Sequence, residues 1–225
     1  MDKNQYIKTE VLRYLGYKNQ DIDDNTHSLI DGSIEEIKDL SEERYTYRFF
    51  DILDTAENVQ LKDSNLKLPG HDIAKHLEKS NKCVLLAVSL GHRVDTRIRY
   101  YEKTSMTKAL IMDACATAAI EDACDRICKK IENELVEGND ILTSRFSPGY
   151  GDLPLEIQKD FLTTLDAKKS IGLSASASSI LIPRKSVTAI VGIVKKDEQI
   201  EKRSCESCSK YLDCSYRKGG LSCGH

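Results

Sequence analysis

Cys83-Val84-Leu85-Leu86-Ala87-Val88-Ser89-Leu90 is a continuous apolar run bounded by Lys82 and Gly91. A short run with no polar alternation marks a strand buried on both faces, and so the centre of a sheet. Upstream, Arg44-Tyr45-Thr46-Tyr47-Arg48-Phe49-Phe50-Asp51-Ile52-Leu53 is aromatic-rich and partly alternating, a second strand. Between the two, residues 57–68 place Val59, Leu61, Leu66 and Leu68 around Asp63-Ser64-Asn65, a hairpin that Leu68-Pro69-Gly70 stops. His71 to Lys79 is then a short helix with Ile73, Ala74 and Leu77 inward. Nearer the N-terminus, the apolar spacing predicts helices over 4–15 and 26–40. His27, near the start of the second, reads as a solvent-facing or capping residue.

Downstream, Gly91-His92-Arg93-Val94-Asp95 reads as a loop leaving the central strand. Such loops often carry sites, so His92, Arg93 and Asp95 are secondary candidates beside the reading as a solvated turn. Residues 104–135 form the longest helix, with Thr104 or Ser105 to cap it and Gly138 just past its end. Its middle, Ala109 to Ala123, is rich in alanine and cysteine, which lets a helix lie close to a sheet or a ligand. Asp113 and Glu121, eight residues apart, project on roughly the same side. Residues 139–144 lead as turn and strand into a loop. Pro154 starts a helix from Leu155 to Asp166, with Asp152 as its cap and Ile157, Phe161, Leu162 and Leu165 as its apolar face. Leu173 to Ala177, Ile180 to Ile182 and Ser186 to Val194 are strands, the last apolar on both faces.

These elements make an α+β fold, a mixed or antiparallel sheet with helices packed to one side. The chain divides into an N-terminal helical segment (1–43), a central domain (44–194), and a charged linker with a cysteine-rich tail (195–225). The 225 residues are 40% hydrophobic and 31% charged, as in a soluble globular protein. A net charge of −3 gives no general attraction to nucleic acid. No apolar run approaches the roughly 18 residues of a membrane span. Met1-Asp2-Lys3-Asn4-Gln5 lacks the apolar core of a signal peptide, so a cytoplasmic location is expected.

The loop Arg145-Phe146-Ser147-Pro148-Gly149-Tyr150-Gly151-Asp152-Leu153-Pro154 carries the chemistry. Its prolines remove donors and its glycines allow close approach of a ligand to the main chain. Arg145 offers a planar fork that fits a carboxylate bidentately. Tyr150 adds an aromatic face and a hydroxyl. The loop reads as a site for a small ligand with a carboxylate and a flat or cationic part. The alternative for Arg145 is a salt bridge that braces the loop.

Arg145-x-x-x-Gly149-Tyr150, Pro154, the helix end Leu165-Asp166-Ala167-Lys168, Ile171-Gly172 and Pro183-x-x-Ser186-Val187 resemble the activation domain of cobalamin-dependent methionine synthase. The match is closest to the free-standing form of that domain, specific over residues 142–194 and looser over 44–135. The resemblance implies a curved sheet that binds S-adenosylmethionine and supplies its methyl group to reactivate oxidised cobalamin. Carried over by position, Arg145 pairs with the ligand's carboxylate. Ser147, Gly149 and Gly151 line the ligand, with Gly149 and neighbouring backbone on the adenosine part. Tyr150 lies near the sulfonium methyl and the corrin, the one residue placed at the reacting group. An acidic residue on the long helix also holds the ligand, and the Asp-to-Glu spacing points to Glu121, whose alternative is an exposed helix carboxylate. Gly151-Asp152-Leu153-Pro154 departs from the Pro-Ala-Cys-Pro of the large enzymes, and no cobalamin-binding Asp-x-His-x-x-Gly segment is present. Cobalamin is therefore expected only on a partner, a methionine synthase or another corrinoid protein, with flavodoxin or ferredoxin as reductant. The protein is then a component for reactivation rather than a complete methyltransferase.

Cys83, Cys115, Cys124 and Cys128 lie in apolar segments and read as reduced, buried residues. Cys205-x-x-Cys208, Cys214 and Cys223 crowd the tail, a set that can hold zinc or an iron–sulfur cluster. A reduced tail without metal or incidental disulfides are the alternatives. Lys202, Arg203, Lys210, Arg217 and Lys218 surround them with only Tyr211 and Tyr216 as aromatics, a weak case for nucleic-acid binding. Two other functions fit: an activator of a different corrinoid methyltransferase whose cluster delivers the electron, and a non-catalytic metal-bearing interaction module.

Overall fold

The computed structural model describes residues 3–17, 20–54, 58–134, 140–196 and 211–212. Cys205, Cys208, Cys214 and Cys223 lie outside the described residues. In chain order the elements are helices α1 (Lys3–Tyr14) and α2 (Asp24–Leu40), strands β1 (Arg44–Asp54), β2 (Asn58–Leu61) and β3 (Lys67–Pro69), helix α3 (His71–Leu77), strand β4 (Lys82–Ser89), and helices α4 (His92–Thr104) and α5 (Met106–Glu134). Strand β5 (Asp140–Leu142), a 3₁₀ turn (Leu155–Ile157), helices α6 (Gln158–Thr164) and α7 (Ala167–Ile171), and strands β6 (Ser174–Ala175), β7 (Leu181–Ile182) and β8 (Ser186–Lys195) follow.

The apolar run is β4, and it lies between β1 and β8 in a six-stranded sheet of order β3-β2-β1-β4-β8-β5. Every neighbouring pair is antiparallel, so the sheet is not mixed. Strands β6 and β7 form a separate two-stranded sheet. Register runs from Arg44↔Ser89 to Asp51↔Lys82 on one side of β4, and from Lys82↔Ile193 to Ser89↔Ser186 on the other.

Alternation along β4 sends successive side chains to opposite faces. Val84, Leu86 and Val88 enter a core with Ile7 and Val11 of α1, Ile30, Ile34 and Ile37 of α2, Val94 of α4, and the apolar face of α5. Cys83, Leu85 and Ala87 enter a second core with Ile73 and Leu77 of α3, Phe161 and Leu162 of α6, and Ile171 of α7. Helices thus cover both faces rather than one. The reason is in β4 itself, since a strand apolar on both faces needs apolar cover on both. Close packing reaches the backbone at Gly192 of β8, where a Cβ would lie 2.3 Å from Ser80 Oγ and 3.1 Å from Leu77 Cδ2.

Residues 91–95 are not a loop. Gly91, at φ 86°, is followed at once by α4. Val94 and Ile98 are buried and Tyr101 packs half-buried beside them, one stripe at helical spacing among charged residues. The helix expected over Leu155 to Asp166 is broken into the 3₁₀ turn and α6, and a further short helix, α7, follows it. Asp166 takes the left-handed conformation (φ 50°) that aspartate tolerates better than most residues, and this separates α6 from α7. Among the described residues, no helix is long and apolar enough to cross a membrane.

The core thiols are chemically quiet. Burial pushes the Cys83 and Cys115 thiols up to about 12, and burial also raises Cys124. Cys128 is raised by burial too, but Arg145 works against that rise and the residue is only half-buried. On brief treatment of the native protein with iodoacetamide at pH 8, Cys128 should label before the other three, with peptide-level mass spectrometry as the readout. Equal labelling of Cys83 would contradict the packing of β4.

Candidate functional site

After β5 the chain continues along the edge of β8. Thr143 N–H donates to Gly192 O (2.9 Å), and Phe146 exchanges both backbone bonds with Ile190 (2.9 and 2.7 Å). Extended backbone turns neighbouring side chains to opposite faces. Phe146 therefore packs into the second core, while Arg145 turns to α5. There its Nη2 lies 2.6 Å from Glu121 Oε2, and its Nη1 bonds Asp125 Oδ1. Glu121 and Asp125 stand one helical turn apart on one face of α5. The Arg145 side chain is 22% exposed, Glu121 37% and Asp125 60%, so the cation lies inside and the carboxylates at the rim. Burial works against the guanidinium charge, but Cys124, Asp125 and Glu121 hold the pKa above the ordinary arginine value.

The loop is closed by its own backbone. Tyr150 N–H donates to Ser147 O (3.0 Å), Leu153 N–H to Tyr150 O (3.0 Å), and Gly149 N–H to Leu153 O (2.9 Å). What Gly149 can offer a ligand is thus its carbonyl and its exposed, side-chain-free surface. Gly151 sits at φ 52°, and a Cβ there would lie 2.2 Å from Asp72 Oδ2, so the loop rests directly on α3. Asp152 does not cap the helix that follows it. Its carboxylate accepts from His71 N–H (2.7 Å) and Asp72 N–H (3.1 Å), capping α3 instead. Pro154 is the residue before the 3₁₀ turn and no side chain caps that turn. Asp152→Ala should lower stability by about 1 kcal/mol in urea denaturation, the usual scale of a lost N-cap. It should also loosen residues 149–153 to hydrogen exchange.

Tyr150 is half-buried against the second core, its ring 6.2 Å from Phe146. Phe146 in turn lies 5.2 Å from His76, whose Nε2 is 3.0 Å from Thr143 Oγ1. His76 sits on a short helix far from the loop in sequence, and nothing in its spacing marks it. Asp125 is equally unmarked, although its position four residues after Glu121 on a helix is an available signal. The structure thus brings Arg145 and Glu121 together, and places Ser147, Gly149, Tyr150 and Gly151 in one closed loop around the sheet edge.

The secondary candidates go elsewhere. Asp95 is buried (4% exposed) and accepts from the backbone N–H groups of Arg184 (2.5 Å) and Lys185 (3.2 Å). Lys185 Nζ then reaches Asp113 Oδ1 (2.8 Å) and Thr117 Oγ1 (2.9 Å) on α5. His92 and Arg93 line a surface groove of about 550 Å³ with Leu40, Thr96, Arg97 and Tyr100, in which none of the loop residues takes part. Among the described residues, no group of three or more histidine, cysteine, aspartate or glutamate side chains is placed to hold a metal ion.

An arginine beside two carboxylates offers donors that suit a carboxylate and acceptors that suit an ammonium. No protein-family model matches the chain, and no curated protein matches it. A solved structure does: the MetH reactivation domain bound to AdoHcy, 13% identical, with a TM-score of 0.59 over 93% of this chain and 77% of that one. The chain therefore has the α+β fold of a MetH reactivation domain, an antiparallel sheet with helices packed on it.

Proposed function

We propose that this protein binds S-adenosylmethionine at the Arg145 loop and presents it to cobalamin carried by a separate methionine synthase or corrinoid protein. The observation that carries this reading is the Arg145–Glu121–Asp125 cluster beside a loop with the Arg-Phe-Ser-Pro-Gly-Tyr-Gly-Asp sequence. The donor set fits the ligand. Arg145 takes the α-carboxylate and Glu121 the α-ammonium. One cation with two carboxylates leaves the cluster net negative, which suits a ligand whose sulfonium makes it net positive. Ser147, Gly149 and Gly151 border the adenosine part, and Tyr150 borders the sulfonium methyl.

S-adenosylmethionine supplies an electrophilic methyl group when bound. The chain's part is orientation: Arg145 and Glu121 fix the amino-acid end, so the methyl end faces outward beside Tyr150. No acid–base residue is required of the protein. The electron comes from a reductant such as flavodoxin or ferredoxin. The tail cysteines Cys205, Cys208, Cys214 and Cys223 are proposed as a separate zinc or iron–sulfur site, and residues 44–194 as the ligand-binding domain.

The test is calorimetric titration with S-adenosylmethionine, followed by transfer of radiolabelled methyl to the cobalamin of a purified methionine synthase under reduction. One-to-one binding and label on cobalamin are expected. Absence of S-adenosylmethionine binding would overturn the reading, and binding without transfer to any corrinoid protein would reduce it to ligand sensing.

A further inference from the structure

The Arg145 fork is occupied at both ends by carboxylates of the same helix, Glu121 on Nη2 at 2.6 Å and Asp125 on Nη1. A ligand carboxylate has the same chemistry as these two groups, so it competes with them for the guanidinium's charge and donors. The two are not equivalent as competitors. Asp125 is 60% exposed and can turn into water, where a carboxylate is well solvated. Glu121 is 37% exposed and sits closer to the buried end of the cluster. Two carboxylates at i and i+4 repel each other on a helix, and the guanidinium between them removes that penalty. Anything that takes the guanidinium from Asp125 therefore meets a definite, opposing free energy.

We infer that Asp125 is a built-in competitor for the ligand's carboxylate, a residue that holds the Arg145 fork and sets the affinity threshold of the site. This rests on the S-adenosylmethionine reading above and adds a residue to it. When a ligand carboxylate replaces Asp125 on Nη1, Glu121 keeps its end of the cluster and turns to the ligand's ammonium. Asp125, released, stays one helical turn away and adds negative potential near the cationic part of the ligand. The same group thus raises the threshold for every carboxylate ligand and recovers part of it only for a cationic one. S-adenosylmethionine is selected over neutral analogues by this difference, with no contact to the sulfonium required.

The probes are S-adenosylhomocysteine, which keeps the zwitterion but has no net charge, and adenosine, which lacks the amino-acid part. Both, together with S-adenosylmethionine, are titrated calorimetrically into wild type and Asp125→Asn, with Asp125→Ala as a second variant at this exposed helix position. Losing the competitor should tighten S-adenosylhomocysteine roughly two- to fivefold, the scale of a partly exposed ion pair. Adenosine should bind both proteins equally. The preference for S-adenosylmethionine over S-adenosylhomocysteine should shrink in both variants. Unchanged or weaker S-adenosylhomocysteine binding in variants that melt like wild type would overturn the inference while leaving the ligand assignment standing. If neither wild type nor variant binds either adenosyl amino acid, both the inference and the assignment fall.

Discussion

Arg145→Ala is expected to weaken S-adenosylmethionine binding by about 30- to 150-fold, or about 2–3 kcal/mol. Two effects add. The variant loses a charge-assisted bidentate contact, and it leaves Glu121 and Asp125 facing the ligand's carboxylate with no cation between them. Folding should suffer far less. Both carboxylates are partly exposed and can hydrate when the arginine is gone, so the stability cost should stay within about 1 kcal/mol. Calorimetry beside urea denaturation separates the two. Arg145→Lys should fall between wild type and alanine, because an ammonium keeps the charge but not the fork. Equal affinity of wild type and Arg145→Ala would move the carboxylate site away from this loop.

Asp95→Ala should have the largest effect on stability, a loss of about 2–4 kcal/mol in urea denaturation. The carboxylate is 4% exposed and receives two backbone N–H groups from the turn between β7 and β8. Alanine leaves both donors without their acceptor. The turn also aims Lys185, whose side chain is 14% exposed, at Asp113 and Thr117 on α5. Loosening it should expose β8 at its N-terminal end to hydrogen exchange. Asp95→Asn should recover part of the loss, since its amide oxygen can still accept one of the two bonds. A variant as stable as wild type would show that the turn holds without this anchor.

Asp95 also shows why parts of the chain are hard to read. Sequence alone sets it in a solvated turn, because an aspartate after Gly91-His92-Arg93 has no local reason to be buried. Its reason lies 89 residues away, in Arg184 and Lys185. The centre of the sheet is legible because the demand is local: Cys83 to Leu90 has no polar face and fits only between two layers. Helix α5 and strand β8 are legible for the same cause, their length and unbroken patterning. Helix α4 is not, since Gly91 gives it no side-chain cap and its thin apolar stripe lies among arginines and tyrosines. In the candidate site, the loop is legible as an irregular, non-helical segment from its glycines and prolines. Its supports are not. Asp152 looks forward in sequence to a helix start but reaches back to α3, and Asp125 is one exposed helix carboxylate among several until the fold places it on Arg145.

Both outer strands of the six-stranded sheet are short. At one end β3 is three residues long and contains Pro69, and at the other β5 is three residues long, with Phe146 bridging to Ile190 beyond it. Between them β8 runs ten residues and is buried from Thr188 to Val194. Stripped of β5 and Phe146, β8 would present a long apolar strand with an unpaired row of backbone groups, a template for adding a strand from another molecule. The segment that leads into the Arg145 loop therefore also covers the edge of β8. Mutations that shorten or detach residues 140–146 should cost solubility as well as binding.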